Sequence, residues 1–284
     1  MARTRRISVV SLCVICAMVV IVAWSTPTFG QPFTSVTTSQ QRMSTGRLSI
    51  DQEIQLGNDY MVGHGVSKDE KQAAYWYEKA AEAGEPSAQK QIGFFYQAGI
   101  GVAADPVRAV HWYQLAAANG LVTARTNLGV AYLWGSGVRK DLSMAAQLFR
   151  QAAEKGDGRA ATYLGNMYFA GNGMQQDKAA AEHWYRVGAK QHDPVAEFDL
   201  GALFSVEDHP HDFEKAAKWY RKSLEGGYVP AMHSLALLLE DHPELAKSDR
   251  EFLHLFEQAA GLGQWKSSLA LGMLFNEGKL VPRD

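Results

Sequence analysis

The sequence predicts an all-α protein in which pairs of helices repeat along the chain as an α-solenoid. One observation is a glycine that recurs every 36 residues, at Gly57, Gly93, Gly129, Gly165 and Gly201. A second is an aromatic or apolar pair in the same register, at Trp76-Tyr77, Trp112-Tyr113, Leu148-Phe149, Trp184-Tyr185, Trp219-Tyr220 and Leu255-Phe256. A third is a pair of alanines shortly behind it, at Ala80-Ala81, Ala116-Ala117, Ala152-Ala153 and Ala259-Ala260. Self-similarity at a fixed period of this length is typical of repeat proteins, whose units stack side by side.

Each unit is expected to contain two helices joined by a tight turn, and residues 124–156 show the pattern most clearly. Ala124, Leu128 and Tyr132 are spaced four residues apart, so they fall on one face of a first helix. Gly135 can adopt the positive φ that ends this helix, and Asp141 is expected to cap the second helix. A glycine inside a helix costs about 1 kcal/mol relative to alanine. Its recurrence therefore predicts that backbones approach closely at Gly129 and its equivalents.

This pattern, A-x-x-x-L-G-x-x-Y-x-x-G-x-G-V-x-x-D-x-x-x-A-x-x-W-Y-x-x-A-A-x-x-G, resembles the Sel1-like repeat family, a relative of tetratricopeptide repeats. The resemblance implies a right-handed α-solenoid over residues 50–277, made of about six helix pairs and a terminal helix. The pairs are expected at 51–83, 87–119, 122–155, 159–190, 194–225 and 229–261, and the last helix at 265–276. The glycine turn is lost in the loops 205–211 and 240–247, so the sequence does not predict the turn geometry there.

Residues 1–30 combine a basic start with a long apolar segment. Arg3, Arg5 and Arg6 precede an uncharged stretch over residues 7–24, which fits either a cleaved signal peptide or an uncleaved anchor in the inner membrane. Both alternatives predict a protein of the bacterial cell envelope, periplasmic or exported, whose repeats cross the membrane. Residues 31–49 are rich in Ser, Thr and Gln and are interpreted as a flexible tether, and residues 278–284 as a short tail.

Composition argues against several kinds of site. The chain has 28 basic and 30 acidic side chains and no concentrated basic tract, so no nucleic-acid partner is predicted. Cys13 and Cys16 are its two cysteines, so the repeats hold neither a disulfide nor a thiolate zinc site. His209 and His211 lie beside acidic residues and could hold a divalent ion, but Asp212 is better explained as a helix cap. No metal and no cofactor is predicted.

The sequence lacks the nucleophile and metal motifs of common hydrolases, so the chain is not expected to be an enzyme. The family resemblance implies a non-catalytic scaffold or adaptor that binds a protein or peptide partner on the concave face of the solenoid. By similarity to tetratricopeptide domains, its binding residues are expected on the first helices: Lys90, Phe94, Gln97, Thr126, Val130, Thr162, Asn166 and Phe169. Ordinary solvated helix surface is the alternative for these residues. The alternative function is an envelope hydrolase of the β-lactamase-like kind that is attributed to cysteine-rich relatives.

Overall fold

The structure, a computed structural model, describes residues 48–205 and 212–276, and its regular elements there are all helical. These ranges contain the α-helices α1 (Ile50–Val62), α2 (Glu70–Glu82), α3 (Pro86–Ala98), α4 (Pro106–Ala118), α5 (Val122–Trp134), α6 (Leu142–Glu154), α7 (Gly158–Ala170), α8 (Lys178–Lys190), α9 (Pro194–Ser205), α10 (Phe213–Glu225), α11 (Pro230–Asp241), α12 (Glu251–Gly261) and α13 (Trp265–Asn276). A short 3₁₀ helix, Pro243–Leu245, lies between α11 and α12.

The helices pack in chain order, each against the one before and the one after. The pairs α1/α2, α3/α4, α5/α6, α7/α8, α9/α10 and α11/α12 form units one to six, and α13 is the first helix of a seventh unit. This confirms the predicted all-α solenoid of helix pairs. Each unit buries an apolar face against its neighbours, so the core runs along the whole stack.

The recurrent glycine of the first helix makes room chiefly for an aromatic ring, and at Gly93 and Gly165 a backbone also approaches, since a Cβ atom there would lie 3.2 or 3.3 Å from a carbonyl oxygen of the second helix. A Cβ atom built on Gly165 would lie 2.6 Å from the ring of Tyr185, and one built on Gly129 would lie 2.7 Å from that of Phe149. Both rings come from the second helix of the same unit. Real Cβ atoms do not approach other atoms this closely, so any side chain at this position would displace the ring.

The glycine turns pack each unit against the one before it. Gly101 and Gly137, in the turns of units two and three, both have positive φ. A Cβ atom on Gly101 would lie 1.9 Å from the carbonyl oxygen of Glu70, and one on Gly137 would lie 2.0 Å from that of Pro106. Glu70 and Pro106 begin the second helices of the preceding units. Here a backbone does approach closely, and glycine is required for both conformation and space.

The second helices of units one to five begin at aspartate caps, as the sequence predicts for Asp141 and Asp212, whereas α12 has Arg250 at this position. The carboxylates of Asp141 and Asp212 accept hydrogen bonds from the amides of Met144 and Lys215 at 2.9 Å. Gly135 ends α5 with a φ of 71°, which confirms its predicted role. These short-range signals explain why the helix bounds follow the repeat so closely.

Several predictions concern residues outside the described ranges. The signal peptide or anchor, most of the tether, the tail and the loop with His209 and His211 all lie there. Of the two degenerate loops, 240–247 is described: it holds the 3₁₀ helix, and the His242 ring stacks on Phe213 with ring centres 3.9 Å apart. Among the described residues, none of the helices has the length and apolar character needed to span a bilayer.

Candidate functional site

The candidate site is the inner surface of the stack, formed by the first helices of successive units. Neighbouring first helices contact one another directly where α9 meets both α7 and α11. Elements on the inside of a curved stack lie closer together than those on the outside, so these contacts place the first helices on the inner side. The exposed faces of α3, α5, α7 and α9 therefore form the surface on which the binding residues were predicted.

Hydroxyl groups from the second helices reach this surface and fix polar side chains of the first helices. The Tyr113 hydroxyl donates to the Gln97 amide oxygen at 2.7 Å, and the Tyr185 hydroxyl donates to that of Asn166 at 2.6 Å. Burial raises the pKa of both phenols, so both remain protonated donors at neutral pH. Gln97 and Asn166, two of the predicted site residues, are thus held in place by the core.

Two predicted site residues are turned away from solvent, which corrects the expected role for their side chains. Thr126 is 1 % exposed and Thr162 is 5 % exposed. The Thr126 hydroxyl donates to the Asp157 carboxylate at 2.7 Å, and the Thr162 hydroxyl donates to that of Asp193 at 2.5 Å. Both aspartates cap the first helix of the following unit. These threonines join neighbouring units and do not face the surface on which a partner would lie.

The remaining predicted residues lie at the inner surface but are not fully exposed. Lys90, Phe94, Val130 and Phe169 are half-buried, whereas Gln97 is exposed. The three apolar members pack against the buried core clusters. They could contribute apolar contact area at the floor of a groove, while Lys90 and Gln97 could contribute hydrogen bonds.

Sequence analysis missed a group of polar residues on α7 and α9. Asp199 lies two residues before the glycine of unit five. The predicted site residues Thr126 and Thr162 lie three residues before the glycines of their own units. One residue turns an α-helix by about 100°. The position two before the glycine therefore belongs to the surface row, whereas the position three before it is buried at the junction with the next unit. The row two before the glycine is polar or aromatic at Gln91, Asn127, Tyr163 and Asp199, but the row three before it is also polar in units two to four, so polarity alone does not distinguish the two rows.

The carboxyl group of Asp199 is the most perturbed acid of this group. Burial above all, and the nearby Asp193 charge, raise its pKa to about 8, although a hydrogen bond with Asn166 opposes the rise. Its Oδ2 atom is shielded from solvent and has no hydrogen-bond partner among the described residues. The pKa places much of this carboxyl in the protonated form at neutral pH, which reduces the cost of burying it beside Asp193.

A cation and a phenol on α7, Arg159 and Tyr163, interact with Asp193, which is also the charged neighbour of Asp199. Arg159 is exposed, and its guanidinium donates to the Asn127 amide oxygen at 3.4 Å. The Tyr163 ring stacks on Phe149 with ring centres 4.9 Å apart, and burial raises the pKa of its phenol. We call the set Asn127, Arg159, Tyr163, Asn166 and Asp199 the inner polar cluster.

The inner polar cluster offers a guanidinium, a phenol, amides and a carboxyl group along three successive units. Such groups hydrogen-bond the backbone and polar side chains of an extended polypeptide. In the ranges 48–205 and 212–276, histidine, cysteine and acidic side chains do not gather in a set of three that could hold a metal ion.

Comparison with known proteins agrees with this architecture. The chain is 32 % identical to a Sel1 repeat protein from Oxalobacter formigenes, with a TM-score of 0.70 over 75 % of this chain and 88 % of that one. It is also 32 % identical to c5321, a protective antigen of uropathogenic Escherichia coli, with a TM-score of 0.67 over 81 % of this chain. The match spans 49 % of c5321, so the chain corresponds to about half of that protein.

A more distant likeness concerns the fold alone. The immunity protein Pa5087 from Pseudomonas aeruginosa is 18 % identical to the chain, with a TM-score of 0.51 over 84 % of this chain and 88 % of that one. No curated protein sequence matches the chain. The Sel1 repeat profile matches five consecutive segments, residues 53–85, 86–121, 122–157, 158–193 and 194–228. These segments coincide with units one to five and cover more than half of the chain, which therefore belongs to the Sel1 repeat family.

Proposed function

We propose that this protein is a non-catalytic scaffold of the bacterial cell envelope that holds an extended segment of a partner protein on its inner surface. The observation that carries the proposal is the inner polar cluster, in which four polar side chains and one phenol from three units share one surface. Family membership supports the general class, because Sel1 repeats build protein-interaction scaffolds. The basic and apolar start of the sequence supports export, either with cleavage near residue 30 or with residues 7–24 as an anchor.

The inner surface suits an extended polypeptide better than a charged ligand. Within the cluster Arg159 is the one permanent cation, and the raised pKa of Asp199 leaves it partly neutral near pH 7. Phe94, Val130 and Phe169 add apolar area between the polar groups. A peptide could place its backbone against the amides and its apolar side chains between them.

Site-specific photo-crosslinking in the native cell tests this proposal. A photoreactive residue at position 97, on the inner surface, is compared with one at position 147, an exposed glutamine on the second helix α6. We expect a specific protein product from position 97 and none of the same mass from position 147. Equal products from both positions, or none from position 97, would argue against an inner binding surface.

A charge-reversal variant tests whether the crosslink from position 97 depends on the inner polar cluster. Arg159→Glu is expected to lower the yield of the position-97 product at least tenfold, because it replaces the one permanent cation of the cluster with an anion. Because Arg159 is exposed the variant should still fold, but the added anion lies near Asp157 and Asp193 and should lower the thermal midpoint somewhat, so the midpoint is measured beside the crosslink. Fractionation and mass measurement of the same tagged chain determine whether residues 1–30 are removed and whether the protein is outside the cytoplasm. A full-length chain in the cytoplasm would contradict the envelope assignment.

A further inference from the structure

The last helix, α13, presents an apolar surface to solvent. Trp265, Leu269, Met273 and Phe275 are 68, 57, 57 and 70 % exposed. At about 100° per residue, they share an arc of roughly 160° with the three other exposed residues Ser268, Gly272 and Asn276. We call these seven residues the α13 arc. The arc contains no charged side chain, which is unusual for the outward face of a helix in water.

Equivalent positions in earlier units show that part of this arc belongs to a helix–helix interface. Phe275 follows the repeated glycine by three residues. Of its six equivalents, Tyr60, Tyr132 and Tyr168 are half-buried, and Tyr96, Phe204 and, after Ala236, Leu239 are buried. The three buried residues are 4, 5 and 0 % exposed because the second helix of their unit or a neighbouring unit covers them. Phe275 alone among these seven is exposed, because α13 has no second helix among the described residues.

The chain itself shows what kind of group fits such a surface. In units one to five, the ring of an aromatic residue on the second helix lies against the glycine of the first helix, and a Cβ atom there would meet it at 2.6–2.9 Å. At Gly272 nothing lies within 4 Å of the corresponding position. The α13 arc therefore contains an empty glycine socket of the type that an aromatic ring fills five times elsewhere. Residues 277–284 contain no aromatic residue that could fill it.

We propose that a second copy of this chain covers the α13 arc, with two α13 helices packed antiparallel about a two-fold axis. A two-fold contact requires a surface that is complementary to itself. The arc meets this requirement, because the Phe275 ring and the Gly272 socket lie three residues apart on the same helix. In an antiparallel pair, each ring can lie over the glycine of the other copy, as Tyr185 lies over Gly165 within unit four.

Charge repulsion does not oppose the antiparallel pairing of two α13 helices. Lys266 is the one charged residue of α13, and it lies outside the arc, near the start of the helix. With the contact centred between Gly272 and Phe275, the two copies of Lys266 would lie about 15 residues apart along the antiparallel pair, or roughly 22 Å. This exceeds the screening length of about 8 Å at physiological salt. One helix face is smaller than a standard interface of about 800 Å² per partner, so dissociation in the micromolar range is expected.

Sedimentation velocity on the full chain tests the proposal, at concentrations from about 1 to 100 μM, which bracket that range. The wild-type chain should pass from its 31.2 kDa monomer to twice that mass as its concentration rises. The double variant Leu269→Lys/Met273→Lys should remain monomeric up to a concentration at least tenfold higher than the wild-type chain does, because it places like charges in the contact. Val107→Lys serves as the matched control, since Val107 is 65 % exposed on a different helix.

The outcomes of the sedimentation experiment distinguish a dimer formed through the α13 arc from the alternatives. Residues 1–47 are identical in all variants, so a difference between variants reports the α13 arc. A concentration-dependent dimer in wild type and control but not in the double variant supports the proposal. A dimer that persists in the double variant, or a wild-type chain that is monomeric throughout, overturns it. If deletion of residues 277–284 turns a monomeric wild type into a dimer, the tail covers the arc instead. Unchanged thermal midpoints verify that the exposed substitutions leave the fold intact.

Discussion

Tyrosine hydroxyls from the second helices have polar partners on the first helices of the same units. Tyr185 donates to Asn166, the residue that follows the unit-four glycine. In unit three the ring is Phe149, which has no hydroxyl, and the residue that follows the glycine is Val130. A buried hydroxyl without a partner would cost about 1–3 kcal/mol, so each such tyrosine needs a polar group on the first helix: Asn166 for Tyr185, and Gln97, four residues after the glycine, for Tyr113. The composition of the inner surface therefore depends partly on which aromatic residue fills the socket behind it.

Asp199 gives the protein a pH-dependent stability that can be measured. Its pKa is 3.8 in an unfolded chain and about 8 in the folded one. Between these values the unfolded state has released the proton and the folded state still binds it, so this group makes the fold less stable as pH rises from about 4 to 8. Each pKa unit corresponds to about 1.4 kcal/mol.

Asp199→Asn should therefore stabilise the protein at pH 8 by at least about 2 kcal/mol and much less at pH 5. The asparagine is neutral at every pH and keeps the size of the side chain. Urea midpoints at both pH values for the variant, the wild type and the exposed control Asp249→Asn measure this. An equal difference between Asp199→Asn and wild type at both pH values would show that Asp199 does not titrate as inferred.

At the scale of helices, the recurrent glycine decides how close the two helices of a unit lie. Its cost in helix propensity, about 1 kcal/mol, is offset by packing a buried aromatic ring against the bare backbone. The ring of Tyr185 is 2 % exposed, whereas the Gly272 site is open to solvent. Glycine at this repeat position therefore stabilises the folded chain in unit four, where it admits the ring, and destabilises it in α13, where only its low helix propensity remains.

Gly165→Ala and Gly272→Ala should consequently change stability in opposite directions. The first places a Cβ atom 2.6 Å from the Tyr185 ring and should destabilise by about 1–3 kcal/mol through overpacking. The second meets no atom within 4 Å and should stabilise the monomer by up to about 1 kcal/mol through helix propensity. Urea denaturation at low protein concentration compares the two variants. Two losses of similar size would contradict the role assigned to the ring.

For the whole molecule, stability should vary along the stack, because each unit contacts mainly its neighbours. The first helix α7 packs against α6, α8 and α9, whereas α13 packs mainly against α12. Amide hydrogen exchange at low protein concentration should therefore be slowest in α5, α7 and α9 and fastest in α13. Peptide-resolved exchange measured by mass spectrometry tests this order. Equal protection from α3 to α13 would indicate one cooperative unit in place of a graded stack.

The sequence by itself determined the repeat period, the helix pairs, the caps and turn glycines, and family membership. These features depend on residues close together in the chain or on a pattern that recurs at a fixed distance, so no tertiary structure is needed to read them. Gly135 and Asp141 have the local roles that their residue types predict. The same reasoning also placed the candidate surface on the first helices.

Only the tertiary structure decided which side of each first helix faces solvent and which faces the next unit. A step of one residue turns the helix by about 100°, and no local signal separates Thr126, which bonds Asp157 in the next unit, from the surface row beside it. The same holds for Gly129, where a ring fills the space, and for the half-buried acid Asp199. Each of these outcomes depends on side chains from other helices, and the packing of one unit on the next sets their distances.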